Sequence, residues 1–472
     1  MNIPSRRPLF RRQTNTNIYR IFFWALMLLW AVWLLRSIEA GAIQQAGAPT
    51  PTATRSALSL TEEGDAYFTT GDLDNAIEAY REATRVDPQN ADVWAKMARI
   101  QAYSSALLVG GERLALLQEA LISINRAKEI APENSTVAAI RAFVLTWNAN
   151  QYFYTDTERY DRLLVEAEQE VTRALQLDPT NTQALVFYVE ILTNQYRLAE
   201  AEQYMAQALD RGEDLMDLHR VYAFLLETQA LYNRAIQEYD QAIEINPNLT
   251  FLMLRAGAIY RHLASEAPPE SDQQKLLFEK SLEYFARAAD TNEQIDVQDP
   301  TPYLSISKTY SQMGEYFAAS RNVLKALSFD PSNADVYGQL GIVFFKSRNY
   351  EGSIPALECA IKGCTAAQSC EARNGCAEGD PGTAVTGMAL SSDTLVYYYT
   401  YGSVLAAISR PQENYCPRAR EIFSEIRNSP FGSDSTVLSI IQDGESICQS
   451  VADATPIVRA TATPISTSTP EP

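Results

Sequence analysis

Apolar and small residues recur along most of this chain at the three-and-four spacing of an α-helix, in paired stripes divided by short breaks. Leu60, Gly64 and Tyr67 lie on one helical face. Gly71-Asp72 interrupts it, Ala76, Tyr80 and Ala83 form a second face, and Asp87-Pro88 ends that one. The pattern predicts two antiparallel helices. Gly64 and Ala76 are small enough to let them approach, Tyr67 and Tyr80 fill the space beside them, and Pro88 cannot continue a helix. The second-helix alanine can be followed through Ala83, Ala127, Ala174, Ala208, Ala242, Ala288, Ala326 and Ala360, with gaps of 44, 47, 34, 34, 46, 38 and 34 residues. Insertions account for the longer gaps: Gly110-Gly111, Asn148 to Tyr154, and Ala267-Pro268-Pro269. Closing prolines recur at Pro132, Pro179, Pro247 and Pro331.

Further units keep the pattern. Ala235, Tyr239, Ala242 and Pro247 form one second helix, and Tyr303, Tyr310, Gly314, Ala319, Ala326 and Pro331 a nearly complete unit. Tyr337, Leu340, Gly341 and Phe344 open the next. Tyr398, Tyr401, Gly402, Leu405, Ala419 and Phe423 mark a degenerate last one. The spacing closely resembles the tetratricopeptide repeat, whose period is 34 residues. The resemblance covers residues 57 to about 430 and implies an all-α fold, a right-handed α-solenoid of about nine helical hairpins. Departures fall at His219, Ser281, Ser353, Glu213 and Glu293. They put unit boundaries in doubt rather than the fold class. Val437 to Cys448 reads as a capping helix, which solenoids need for solubility.

The resemblance also implies a binding face on the first helices of the hairpins. Carried over by spacing, that face holds Phe68, Arg99, Phe143, Arg220, Phe224, Leu254, Arg261, Lys308, Ile342, Phe345 and Tyr399. Apolar and basic residues there suit an extended peptide or protein surface with apolar anchors and some negative charge. The bland alternative is that these aromatics pack between helices and the arginines pair with local acids. Some members of the family grip a C-terminal carboxylate with a Lys/Asn clamp. Thr61 and Asp65 stand at those positions here, which argues against a chaperone-tail adaptor.

At the other end of the chain, Ile21 to Leu35 is an unbroken apolar run. With Arg20 and Arg36 snorkelling, Ile18 to Ile38 spans about 31 Å against roughly 30 Å of hydrocarbon. Arg6, Arg7, Arg11, Arg12 and Arg20 precede the run and only Arg36 follows closely, which places the N-terminus in the cytoplasm and the rest outside. A cleaved signal peptide is the alternative, with Ala40-Gly41-Ala42 as the cleavage site. Both readings export the same domain. The expected organisation is a basic leader (1–17), a transmembrane signal-anchor helix (18–38), a Pro/Thr linker (39–56), the repeat array (57–361), a cysteine-containing insertion (362–390), the degenerate repeat (391–430), the capping helix (431–450) and a Thr/Pro tail (451–472).

Charge and chemistry narrow the function. The chain carries −19 overall, and −25 once the six arginines of the first 38 residues are set aside, so a phosphate backbone is an unfavourable partner. There are two histidines, His219 and His262, and no phosphate loop, nucleophile elbow or metal motif. No cofactor, metal, small-molecule substrate or catalytic role is expected. Arginine outnumbers lysine, which points to a GC-rich bacterial genome. Cys359, Cys364, Cys370, Cys376, Cys416 and Cys448 all lie in the C-terminal quarter. An even number outside a membrane favours disulfides, and six cysteines allow about fifteen pairings. We expect Cys416 with Cys448, and the other four among themselves. A metal site is disfavoured by the lack of any Cys-x-x-Cys. The leading functional reading is a membrane-anchored, extracytoplasmic protein-binding scaffold in envelope assembly or secretion. A spacer between membrane and wall and, more remotely, an enzyme are the alternatives.

Overall fold

The computed structural model describes residues 17–39, 55–108, 110–211, 215–376 and 379–454. Most of the basic leader, most of the Pro/Thr linker, the tail beyond Ala454 and Glu213 lie outside the described residues. The chain divides into two units, residues 1–56 and 57–472.

In the first unit, α1 (Ile18–Glu39) is a single apolar helix. Its 22 residues reach about 33 Å at 1.5 Å per residue. The stretch Ile18–Ser37 has a mean hydropathy of 1.9 and none of it is buried. It is long and apolar enough to cross a bilayer, a property that membrane anchors share with signal sequences.

The second unit is a row of helical hairpins. In chain order they pair α2 (Ala57–Thr69) with α3 (Leu73–Val86), α4 (Ala91–Ser105) with α5 (Gly110–Ile130), α6 (Ser135–Asn150) with α7 (Thr157–Leu177), and α8 (Thr182–Asn194) with α9 (Leu198–Leu209). Then come α10 (Met216–Thr228) with α11 (Tyr232–Ile245), α12 (Thr250–Glu266) with α13 (Asp272–Gln294), α14 (Thr301–Met313) with α15 (Tyr316–Phe329), and α16 (Ala334–Lys346) with α17 (Tyr350–Ile361). A short α18 (Ala366–Ala372) precedes the last hairpin, α19 (Leu395–Ile408) with α20 (Cys416–Arg427). The final helix is α21 (Ser435–Asp453). Among the described residues there is no strand, only isolated bridges at Cys364–Val385 and Arg410–Glu413.

The small residues do what their spacing suggests. All eight second-helix alanines, Ala83 through Ala360, are 0% exposed. A Cβ on Gly64 would sit 2.6 Å from the Tyr80 ring, so only glycine lets α2 lie against α3. The connections between hairpins are built by two residues that work together. The closing proline stops one helix, and an asparagine two positions later caps the next. Asn90, Asn134, Asn181 and Asn333 each accept a backbone N–H from the first turn of the following helix.

Two large hydrophobic cores result, one from Leu60 to Ala288 and one from Ala319 to Cys448, with a small third cluster at Ala149, Tyr160 and Leu164. The seam between them, at α13 and α14, is rich in buried polar groups: Ser281 faces Thr309 at 3.4 Å, and the Asn292 amide donates to Asp299 at 3.3 Å. Cys359 pairs with Cys364, Cys370 with Cys376, and Cys416 with Cys448. The first ties the insertion to α17, and the second closes a short loop within the insertion. The third ties α20 to α21. The terminal helix begins at Ser435 rather than 431, because Pro430–Ser433 forms a 3-10 turn and Asp434 then caps α21.

Candidate partner-binding site

The first helices of successive hairpins present one common face, and every residue carried over for binding lies on them. In the first six hairpins this face closes on itself. Tyr103 of α4 stacks on Phe251 of α12 with ring centroids 5.6 Å apart. The α2–α3 turn reaches the α11–α12 turn, where a Cβ on Gly71 would meet the Asn248 carbonyl at 2.3 Å.

At the centre of that closure is a buried ion network. Arg220 (6% exposed) donates through both terminal nitrogens to Glu190 (5%) at 2.9 and 2.8 Å. Its Nε donates to Asp217 (2%) at 3.0 Å. Arg99 Nη2 donates to the other Asp217 oxygen at 2.5 Å, and the Tyr103 hydroxyl also donates to Asp217. Trp147 Nε1 donates to Glu190 at 3.1 Å. The Arg220 guanidinium carbon lies 5.5 Å from the Phe143 ring centroid and 5.7 Å from that of Trp147. Burial alone would raise the Asp217 carboxyl, but Arg99 and Arg220 beside it hold it below the usual range. Burial opposes charge on Arg220, and Glu190 and Asp217 outweigh it to push the guanidinium well up.

This geometry corrects the expected binding face. Phe143 is fully buried, Arg220 is spent on Glu190 and Asp217, and Arg99 on Asp217 and Tyr103. Phe68 is half-buried and stacks on Tyr103 at 6.2 Å. These four hold the curl together, and of them Arg220 also lines the open cleft. The reason is distance along the chain: Arg99 and Asp217 are 118 residues apart, and only the summed rotation of the hairpins brings them together.

What stays open is a cleft of about 450 Å³ whose floor is the Glu190–Arg220 pair. Trp147, Phe224, Phe251 and Leu254 give it apolar walls, and Arg255 and Thr301 stand on its rim. Arg255 is paired with Glu227 at 2.9 Å. Beyond the rim, Arg261 donates to the Ser305 carbonyl at 3.1 Å and lies over the Phe285 ring, 5.2 Å from its centroid, and Lys308 is exposed on α14. Ile342, Phe345 and Tyr399 are half-buried on the first helices of the second core, and Phe345 lies 5.9 Å from the Tyr350 ring. They do not share the cleft. A larger hollow of about 780 Å³ beside the Cys359–Cys364 bridge carries charges of both signs, with Arg418 on Glu358 at 2.9 Å. It has fewer apolar walls to anchor a side chain. The sequence reading missed Trp147, Glu190, Asp217 and Phe251. Of these, Asp217 had a local signal, its position one turn before Arg220.

At the positions of a carboxylate clamp, Asp65 instead takes Lys96 at 2.7 Å and the Tyr80 hydroxyl at 2.7 Å. Comparison with known proteins agrees with the helical-hairpin reading. A family model described as TPR repeat matches residues 64–103, from Gly64 to Tyr103. The structure is similar to that of the human IFIT1 dimer with m7Gppp-AAAA, at 13% identity over 82% of this chain and 81% of that one, with a TM-score of 0.50. It is also similar to TTC0263, a thermophilic TPR protein of Thermus thermophilus, at 19% identity over 43% of this chain and 98% of that one (TM-score 0.36). A third is a tetratricopeptide repeat protein of Parabacteroides merdae, at 20% identity over 62% of this chain and all of that one (TM-score 0.30). At these identities the likeness is one of fold.

Proposed function

We propose that this chain, whose residues 64–103 match a TPR repeat model and whose later hairpins repeat that pattern, is a protein-binding scaffold held at a membrane by α1, with its array on the extracytoplasmic side and the cleft at Phe224 and Leu254 receiving a partner segment. The observation that carries this reading is the cleft. It is apolar-walled and open beside a rigid ion-paired floor, as a site for one anchoring side chain should be. The apolar α1 with its basic flank supports the anchor and its orientation. Six cysteines joined in three disulfides support an oxidising compartment. A role in envelope assembly or secretion fits such a location.

The fold by itself does not exclude nucleic acid, since human IFIT1 was solved with m7Gppp-AAAA. The net charge of −19 argues for protein instead. Crosslinking and affinity capture with the full-length protein in detergent tests the reading, with Leu254→Asp as the cleft variant. A discrete protein partner that Leu254→Asp loses supports it. A partner that survives the change moves the site elsewhere, and no discrete partner at all leaves the spacer role as the better account.

A further inference from the structure

Beyond the apolar cleft, the neighbouring helices α12 and α14 carry two cations that, among the described residues, have no acidic partner within ion-pair distance. On α12, Leu254, Ala258 and Arg261 follow one another at four and three residues, so they share a stripe. On α14, Thr301, Ser305 and Lys308 do the same. The two helices touch, and Arg261 reaches across to the Ser305 carbonyl at 3.1 Å. Leu254 and Thr301 line the apolar cleft, and Arg261 and Lys308 stand two turns further on.

Three other inner-face arginines are paired with acids, while Arg113 in the cleft lining donates to the Ser105 and Leu108 carbonyls. Arg99 and Arg220 hold Asp217 and Glu190, and Arg255 holds Glu227. Among the described residues no carboxylate lies within ion-pair distance of Arg261 or Lys308. Burial lowers the Arg261 guanidinium, and burial together with the nearby Arg261 charge lowers the Lys308 ammonium. Two like charges set against each other are left uncompensated in a chain whose net charge is −19.

We propose that Arg261 and Lys308 receive an acidic side chain of the same extended segment whose apolar residue fills the cleft at Leu254. This rests on the cleft reading above. Seven residues of helix separate each cation from the cleft wall, a rise of about 10 Å. An extended segment advances about 3.3 Å per residue. The recognised pattern is therefore an apolar residue and an acidic residue about three positions apart. A carboxylate there replaces the repulsion between the two cations with charge-assisted hydrogen bonds, which a glutamine of the same shape cannot match.

The test uses full-length protein in detergent and end-blocked fluorescent peptides containing Leu-Ser-Thr-Glu, with Leu-Ser-Thr-Gln and Leu-Glu-Ser-Thr as comparisons, read by anisotropy. The Leu-Ser-Thr-Glu probe should bind about tenfold more tightly than either comparison. Lys308→Gln, at an exposed position, should remove most of that preference, and Arg261→Gln with Lys308→Gln should remove it all without weakening the glutamine probe. Arg261→Lys should keep it. Equal binding of glutamate and glutamine probes by the wild type overturns the inference while leaving the cleft reading intact, and so does a preference that survives both substitutions. Binding of capped oligoadenylate but of no peptide overturns both.

Discussion

Replacing Arg220 by methionine removes the cation that Glu190 and Asp217 share. Asp217 keeps Arg99 and the Tyr103 hydroxyl. Glu190 loses both of its arginine bonds and retains the single Trp147 N–H, at 5% exposure. The cost is therefore that of one carboxylate left nearly alone in the interior, about 3–5 kcal/mol. Methionine packs against Phe143 and Trp147 and recovers part of the burial. Adding Glu190→Gln removes the orphaned charge, so the double variant should regain roughly 2 kcal/mol of that loss. Urea unfolding followed by tryptophan fluorescence reads this directly, because Trp147 bonds the affected carboxylate. The sign against pH is fixed by Asp217, whose folded carboxyl is depressed. Its contribution is present above the unfolded value near 3.9 and is lost as pH falls through the lower folded value. Wild type and Arg220→Met should therefore converge in acid. A single substitution costing under about 1 kcal/mol, or a Glu190→Gln change that adds its own cost on top, would refute the claim that this network closes the curl.

Three further outcomes follow from other parts of the fold. Burial raises the Asp299 carboxyl, so the contribution of this one group to stability is fully present below the unfolded value near 3.9 and is lost as pH rises through the folded one. Asp299→Asn should raise stability at neutral pH by about 1 kcal/mol, since it removes a buried charge and, once the Asn292 amide turns over, the new amide can donate to Asn292 Oδ1, and thermal melts should show the gain vanish in acid. Gly64→Ala should cost roughly 1–3 kcal/mol in urea unfolding, because the Tyr80 ring it strikes is held by its hydroxyl on Asp65. Removing the Cys416–Cys448 bridge, which closes a 32-residue separation, should cost roughly 3–4 kcal/mol and speed hydrogen exchange in α21 while leaving α4 and α6 unchanged.

The helices were legible because their information is local. A glycine or alanine every turn or so and a break recur along the array, and in five of the eight units a proline follows five residues past the second-helix alanine. Those residues mark each hairpin without reference to the rest of the array, although the hairpin is stable only when stacked on its neighbours. The eight alanines named from spacing alone are all fully buried. The binding face was legible only as a stripe. Phe143 and Phe224 occupy comparable places on their first helices, yet one lies wholly inside and the other lines the cleft. Nothing within either repeat tells them apart.

What the sequence determined by itself is the repeating unit: two antiparallel helices with a small-residue contact, the apolar helix at the N-terminus, and the acidic balance of the whole. Tertiary structure decided which of the first-helix residues remain available. Each hairpin adds a small rotation to the last, and the inner face meets itself where those rotations have summed over five or six units. There Arg99 finds Asp217 across 118 residues, and Tyr103 finds Phe251. Past that closure, among the described residues, Arg261 and Lys308 have no acid within ion-pair distance. A periodic pattern fixes the step of a superhelix, but contacts across its turn depend on the accumulated angle, which no single repeat contains.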